Sequence, residues 1–590
     1  MFSRNRGLDT GGFKYRKGAF SLPVPFLKLN PKTLQSIILV NQRDTAATLI
    51  DHENIVRTAK PGEVRIERAR RVENILPNTE HDSGATGKGT TPPVVNGLAV
   101  QDGRNCIEAI FPSGVTGYTV SRMSGTLFNG NEIGKTYVAS GLLKISRRLT
   151  TGESLTIYVT GANGLSIFTV TSLNSSSFLS FSHYAGGAST ATGATGGALS
   201  FTIFPSGLTS PLTVWSTNRQ LENVTNQSDQ TSSEYVSNGV LVFPYHKAGA
   251  DGVKYFYTKK NGEKIISVPY ILNERQSTNI YPNSEGGLAA YTSKSGGVDI
   301  QGQTNGLTGF VEYDNSITST TRYSYKGITL NIGENYVLSF FVKSDNDIVV
   351  SKTTASGSCC IVSGGSLVQY NKVEHERLSS TLVRYKVYFT SINTGGGVGV
   401  VQYPSQKEKF SFTGMQLEQG SICSSYIRTM PSLTYTRNAD TLKHSFGSGN
   451  LPQEFCYYAD IEPLIDSTTD TSDKYGLFGT SGSSGIKTNG ANISSITGNN
   501  FSLSRSSFTE KIRMRVGIQV SSNKKEEWIN GVNKVRLYES LTSHSESGEL
   551  EIGNSNGVVM PMKIYDITMY PPLEEKTIRK VTHIGEYDYH

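Results

Sequence analysis

Cysteine, tryptophan and charge are all scarce in this chain of 590 residues, and each scarcity removes a class of explanation. The cysteines (Cys106, Cys359, Cys360, Cys423 and Cys456) form no CxxC pair and are odd in number, which argues against a disulfide framework or a structural zinc site. Cys359 and Cys360 are vicinal, a spacing too short for an easy bridge, and Cys423 has no histidine placed beside it by motif. It reads as a small buried side chain rather than a nucleophile. The nine histidines show neither HExxH nor His-x-His, so no metal site and no cofactor is expected. No run reaches the roughly 18 to 20 apolar residues that span a bilayer. The first thirty residues, broken by Arg4, Arg6, Lys14, Arg16, Lys17 and Pro23, contain no apolar signal-peptide region, and a soluble product made in the cytoplasm is expected. Charged residues are only 18% of the chain, against 61 Gly, 30 Tyr and 24 Phe, which disfavours a helical protein and fits an all-β one.

What the chain does have is repetition. Asn74-Ile75-Leu76-Pro77-Asn78-Thr79-Glu80 returns as Asn279-Ile280-Tyr281-Pro282-Asn283-Ser284-Glu285, and Gly134-Lys135-Thr136-Tyr137-Val138-Ala139-Ser140 returns as Gly333-Glu334-Asn335-Tyr336-Val337-Leu338-Ser339. A closing phrase, Gln220-Leu221-Glu222 with Ser233-Glu234-Tyr235-Val236, returns as Gln416-Leu417-Glu418 with Ser424-Ser425-Tyr426-Ile427. Three phrases in register mean one folding unit in two copies, too large for a solenoid repeat. Within and beyond the copies, short alternating stretches such as Leu155 to Val159, Tyr336 to Lys343, Leu382 to Phe389 and Glu454 to Glu462 predict strands of antiparallel sandwiches. A hairpin is expected at Asn261-Gly262, a tight turn at Asn530-Gly531, and a helical turn after Pro571-Pro572.

The net charge of +7 is local: residues 1–71 hold 14 Lys and Arg against 6 Asp and Glu, an excess of +8, so the remainder sums to −1. Such a segment suits docking on an acidic protein surface, nucleic acid or a membrane. Protein is preferred because Arg65, Arg68, Arg70 and Arg71 interleave with Val64, Ile66 and Glu67 in strand-like alternation. The expected partition is a basic attachment segment (1–71), a first jelly roll (72–238), a connector with a β-hairpin (239–272), a second jelly roll (273–438) and a further sandwich (439–590).

Catalytic constellations are thin. Asp460 and Glu462 stand two apart on an expected strand, as a pair of glycosidase acids would, but Ile465 occupies the place of a third acid and a solvent-face strand end is the preferred reading. Asp466, Asp470 and Asp473 read as a polar loop with a weak claim on calcium. Trp215 and Trp528, the two tryptophans, fall in strand contexts and are read as core or near-core rather than as sugar-stacking platforms. No catalytic, cofactor or metal residue is assigned, and ligand-binding residues are left unassigned.

The run Ile55 to Lys60, with Glu63-Val64-Arg65 and Ala69 to Asn74, resembles a segment of tailed-bacteriophage structural proteins that precedes a carbohydrate-binding-module-like jelly roll. The two closing phrases, and Thr436-Arg437-Asn438-Ala439-Asp440 after the second, resemble the last strand and exit of that module. Trp528-Ile529-Asn530-Gly531, Glu549 to Asn554, Met562 to Ile567 and Leu573-Glu574-Glu575 resemble concanavalin A-like (laminin-G-like) domains. The resemblance implies tandem all-β jelly rolls in a virion protein: a tail fibre, appendage or sheath-like component, assembled in the host cytoplasm; no enzyme is expected, because the residues offer no catalytic constellation. Its implied partners are other tail or neck proteins through the N-terminal segment, its own copies as a trimeric homo-oligomer, and a host-surface glycan or outer-membrane receptor, with no nucleic acid. A head or neck decoration protein and a glycan depolymerase remain the alternatives.

Overall fold

The computed structural model describes residue 22, residues 27–29 and 31, and residues 39–583 with interruptions, the longest being 186–196, 446–453, 465–473, 501–511 and 538–548. The Gly/Ala/Thr-rich stretch from Ala185 to Gly197, whose composition reads as a loop or a widened hairpin, is described only at its two ends, and the polar loop of Asp466, Asp470 and Asp473 lies outside the described residues.

The chain is all-β, built from tandem antiparallel sandwiches. In the first jelly roll one sheet runs in the order Leu179–Ala185, Tyr137–Ile145, Leu212–Asn223, Arg104–Phe111, Val94–Gln101. It faces a sheet ordered Leu165–Val170, Ser154–Thr160, Gly197–Ser206, Val120–Phe128, Thr86–Lys88. The second roll repeats the plan: Lys372–Arg377, Leu382–Thr390, Asn335–Lys343, Lys409–Gln419, Phe310–Asp314, Val298–Ile300 form the corresponding sheet. Alternation explains the layering. Ile107, Ala109, Leu143, Ile145, Leu212 and Val214 face inward in the first copy, and Tyr336, Leu338, Phe340 and Val342 do so in the second.

The duplication extends to an irregularity. Between Ser140 and Leu142 the pairing with strand Leu212–Asn223 slips, and between Ser339 and Phe341 the pairing with Lys409–Gln419 slips at the corresponding place. The extra residue is in the left-handed region in each case, Asn218 at φ 50° and Gly414 at φ 65°. Asn tolerates that conformation better than most side chains, and at Gly414 a Cβ would lie 2.6 Å from the Phe341 ring.

The repeated phrases form a clasp at the module edge. Gln220 accepts from Val236 N at 2.7 Å and donates to Glu222 at 2.7 Å, while Glu222 accepts from Ser233 N at 2.8 Å. Gln416 accepts from Ile427 N at 2.6 Å and donates to Glu418 at 2.7 Å, and Glu418 accepts from Ser424 N at 3.0 Å. Tyr235 Oη meets Thr79 Oγ1 at 2.6 Å, and Tyr426 Oη meets Ser284 Oγ at 2.7 Å.

The third sandwich corrects the reading of the N-terminus as a separate basic segment ending at Arg71. One of its sheets runs Val532–Leu537, Lys524–Ile529, Met514–Ser521, Phe455–Pro463, Met562–Tyr570, Tyr270–Asn273, Ile66–Glu67, with Leu27–Leu29 also on Met562–Tyr570. Val40–Asn41 pairs with Leu442–Ser445 in the facing sheet. Leu39, Leu49, Val64, Ile66, Val253 and Ile271 share one core with Tyr457, Ile461, Ile564 and Met569. Residues 39–73 and the connector are therefore structural parts of the C-terminal unit. The strand-like alternation around Arg65 is real, but both faces of that strand are covered.

Its arginines point inward. Arg43 and Arg65, at 1% and 0% exposure, pair with Asp440, Arg65 also with Glu274 at 2.8 Å, and Arg437 pairs with Glu274. Arg71 forks onto Glu63 at 2.7 and 2.8 Å, and Arg70 reaches Glu234 at 2.7 Å. The positive charge of this stretch is neutralised within the molecule, which leaves little of it for an external acidic surface.

This cluster sets an acid sensitivity. Burial alone would push the Glu274 and Asp440 carboxyls up, but Arg437 and Arg65 beside Glu274, and Arg65 and Arg43 beside Asp440, hold both below the usual carboxylate range. A carboxylate depressed on folding contributes stability above its unfolded value, about 4, and loses that contribution as pH falls through the folded value. Glu67 acts oppositely, because burial pushes its carboxyl up despite the Tyr270 hydrogen bond. With Glu73 also held down, against its burial, by Arg71 and Lys60, three depressed groups stand against one raised, and calorimetric unfolding of this unit should move to lower temperature below about pH 4. A transition unchanged from neutral pH into that range would contradict the assignment.

The Asn530-Gly531 turn has both residues at positive φ, 48° and 79°, the geometry of a two-residue hairpin turn. The connector hairpin closes through Lys259 N to Glu263 O at 2.8 Å, with Gly262 at φ 85°. Helix Glu575–Thr582 follows Pro571-Pro572 and packs Ile578 over Trp528, Tyr458 and Tyr570.

Candidate functional site: the outer face of the first jelly roll

Trp215 stands on strand Leu212–Asn223 between Glu108 and Lys144 of the neighbouring strands. Its neighbours Val214 and Ser216 are buried, whereas Trp215 is half-buried and faces away from the core. Trp215 Nε1 donates to Glu108 Oε2 at 2.8 Å, which fixes the ring plane. Half-buried Leu142 and the exposed Ile110 and Val94 continue the apolar part of the same face.

One wall of the face comes from a curled hairpin. Strands Val94–Gln101 and Arg104–Phe111 meet at Asp102-Gly103, both at positive φ (52° and 72°), a tight two-residue turn. From this tip Asp102 accepts a 2.6 Å salt bridge from Lys144, and Arg104 lies 6.0 Å from the Phe178 ring. Lys144 and Phe178 belong to the opposite side of the sheet, beyond the Trp215 strand, so the tip must arch over the sheet surface. The result is a face that carries one half-buried indole, apolar neighbours and a carboxylate–ammonium pair. The hydrogen bond from Lys144 holds the Asp102 carboxyl below its ordinary value. An aromatic floor with a few fixed polar groups suits a ring having one apolar face and hydroxylated edges.

The second copy treats the same face differently. Ser411 occupies the place of Trp215, opposite Lys343 as Trp215 is opposite Lys144. Phe341 stands where Leu142 does, is 1% exposed, and packs with Val56, Leu307 and Tyr426. The N-terminal hairpin of Ala47–Ile50 and Val56–Ala59 thus covers a face that the first roll leaves open.

The other sequence-derived candidates fall elsewhere. Trp528 is 2% exposed, beneath the C-terminal helix. Asp460 is gripped by Arg513 at 2.7 and 2.9 Å and by Arg515 at 3.2 Å; Glu462 is held by Lys563 at 2.8 Å and Tyr565 Oη at 2.9 Å. Cys423 is partly exposed, with Arg384 Nη2 3.6 Å from its sulfur, and burial still raises its thiol above the ordinary value. Cys359 and Cys360 are free and buried. Among the described residues no group of His, Cys, Asp and Glu is arranged to hold a metal ion. Trp215 reads as core or near-core from its strand context, and alternation counted in twos from inward-facing Leu221 would also turn it inward. The bulge at Asn218 inverts that phase.

No family model and no curated protein matches the chain. Solved structures are matched over parts of it. The N-terminal CBM22-1-CBM22-2 tandem domain of Paenibacillus barcinonensis Xyn10C matches at 9% identity and TM-score 0.21, over 60% of this chain and 99% of that one. The CBM40 of Ruminococcus gnavus IT-sialidase, solved with α2,3-sialyllactose, matches at 12% identity and TM-score 0.19, over 22% and 83%. The botulinum neurotoxin type G receptor-binding domain matches at 12% and 0.20, over 24% and 39%. At these values the architecture rests on the sheet order itself.

Proposed function

We propose that this chain is a glycan-binding adhesion component of a tailed-phage virion, a tail fibre, appendage or sheath-like protein, with the Trp215 face of the first jelly roll as its recognition surface. The observation that carries the reading is the divergence of the two copies: the chain's own N-terminal hairpin packs on Phe341 of one face, while the corresponding face of the first roll bears the half-buried Trp215. In this division of labour the second roll and the C-terminal sandwich, of concanavalin A-like type on its sequence, form the platform and the first roll is displayed. The phage context is supported by the sequence resemblance of residues 55–74 and 436–440. Attachment to other tail or neck proteins is assigned to the region before residue 39, which carries seven of the fourteen N-terminal Lys and Arg. Trimeric assembly would multiply weak sites into avidity. The depolymerase alternative draws no support from Asp460 and Glu462, whose carboxylates are engaged by cations.

Trp215→Ala should weaken binding to host-surface glycan about five-fold or more, since an aromatic platform contributes roughly 1–3 kcal/mol at a binding face, while leaving the melting transitions in place. Binding of wild type and variant to isolated host polysaccharide, read by surface plasmon resonance, tests this, and equal binding would sink the assignment. Gold-labelled antibody on intact virions tests the location: label confined to the head would favour a decoration protein.

A further inference from the structure

On the first jelly roll one row of side chains crosses four strands: Asn96, Glu108, Trp215 and Lys144 stand opposite one another in turn. The charges of this row are unevenly matched. Lys144 is engaged by Asp102 at 2.6 Å, and the exposed Arg104 holds its guanidinium 6.0 Å from the Phe178 ring. Among the described residues no cation stands within ion-pair distance of Glu108.

The Glu108 carboxylate is nevertheless held in place. Its Oε2 accepts from Trp215 Nε1 at 2.8 Å, whereas its Oε1 accepts from no group of the chain and is not a buried atom. One oxygen of a charged acceptor is thus open at the edge of the indole, fixed before any ligand arrives, so little ordering entropy is lost on binding. On the neighbouring strand Asn96 is exposed, and its Oδ1 accepts from Leu98 N at 3.1 Å while its Nδ2 donor is unspent. An acceptor and a donor beside an aromatic ring match a hydroxyl, which both donates and accepts. A hydroxyl donating to Oε1 makes a charge-assisted hydrogen bond, about twice as strong as a neutral one.

An anionic sugar fares differently. A carboxylate or sulfate has no proton to give Oε1, and like charges at about 4 Å cost roughly five-fold in affinity even in bulk water, more at a half-buried site. Lys144, the compensating cation on the same row, is two strands away, roughly 10 Å, and already engaged.

We infer that Glu108 is the specificity-determining residue of the Trp215 face, restricting it to uncharged sugar units, hexose or N-acetylhexosamine, and excluding uronate, sialate and sulfated ones. The inference rests on the glycan-adhesion reading of that face.

The test compares polysaccharides that differ only in charge. Polygalacturonate, hyaluronan and polysialic acid are each immobilised beside their carboxyl-reduced forms, in which every carboxylate has become a hydroxymethyl group, with dextran and mannan as further neutral probes. Full-length protein is measured by surface plasmon resonance. Because the chain carries +7 overall and polyanions attract it non-specifically, only the binding lost in Trp215→Ala is counted. That component should be about ten-fold stronger for a carboxyl-reduced probe than for its acidic parent. Glu108→Gln keeps a carbonyl oxygen to accept from Trp215 Nε1 but removes the charge, and should narrow the ratio to about two-fold. A merely structural role for Glu108 would lower both members of a pair and leave their ratio unchanged. Trp215-dependent binding of an acidic probe at least as strong as of its reduced form, or a ratio that survives Glu108→Gln, overturns the inference and leaves the glycan reading standing. Absence of Trp215-dependent binding to every probe overturns both.

Discussion

Asp440→Ala should destabilise the unit formed by the N-terminal strands and the C-terminal sandwich by about 3–5 kcal/mol, the cost of removing one partner from a buried ion pair. Asp440 is fully buried and accepts from Asn41 Nδ2 at 3.0 Å, Arg43 Nη1 at 3.3 Å, Arg65 Nη2 and Glu274 N at 3.0 Å. Arg65 keeps Glu274 when Asp440 is lost, but Arg43 has no other carboxylate within ion-pair distance among the described residues. Burial already draws the Arg43 guanidinium down to about 10 even with Asp440 opposing the shift. Alanine would leave that cation in the interior with only carbonyl oxygens, those of Thr45, Lys60 and Glu63, as acceptors. Because several modules unfold, the quantity to follow is the calorimetric transition of this unit rather than one global midpoint. Lys259→Ala, which breaks an exposed pair at 48% and 62% side-chain exposure, should move the same transition by less than about 0.5 kcal/mol. If the two variants behave alike, Asp440 does not organise the interior as described.

That cluster also shows why the N-terminal segment was read from sequence as an attachment arm. Periodicity is local, and the alternation around Arg65 announced a strand correctly. Its partners lie far off: Arg65 meets Asp440 across 375 positions. Nothing in the charge excess of residues 1–71 says whether arginines face solvent or buried carboxylates. The strands of the jelly rolls were legible because each carries its own period-two pattern, and the duplication was legible because three phrases recur in order. The candidate site was only half legible. Trp215 was noticed, but its direction depends on a bulge at Asn218 that alternation does not announce, and the openness of its face depends on which copy receives the N-terminal hairpin.

Asn74→Ala and Asn279→Ala should each unfold one jelly roll selectively, at a cost of about 4 kcal/mol apiece. Asn74 donates through Nδ2 to Arg219 O at 2.9 Å and Val236 O at 2.8 Å, and its Oδ1 accepts from Leu76 N and Leu221 N at 3.1 Å each. Asn279 repeats the pattern on Met415 O at 3.2 Å, Ile427 O at 2.8 Å, Tyr281 N at 2.9 Å and Leu417 N at 3.0 Å. Both side chains are fully buried, and each uses two donors and two acceptor lone pairs, the whole capacity of an amide. Alanine strands two backbone N–H and two C=O groups, and roughly 1 kcal/mol for each, the low end of the cost of an unmet buried group, gives the total. Aspartate should be no better, since it cannot donate and would face two carbonyl oxygens with a charge. The carbonyls and amides involved belong to the entry strand, the last strand and the exit, so the amide ties the two ends of the module together. This accounts for the recurrence of Asn, Gln, Glu and Tyr in the repeated phrases: they are parts of a clasp, and the copies are free to differ on the faces that the clasp does not touch. Calorimetry of the two variants should therefore show different transitions displaced, the first roll in one and the second in the other. A common transition lowered equally by both would mean that the rolls unfold together and that the clasp does not define a module.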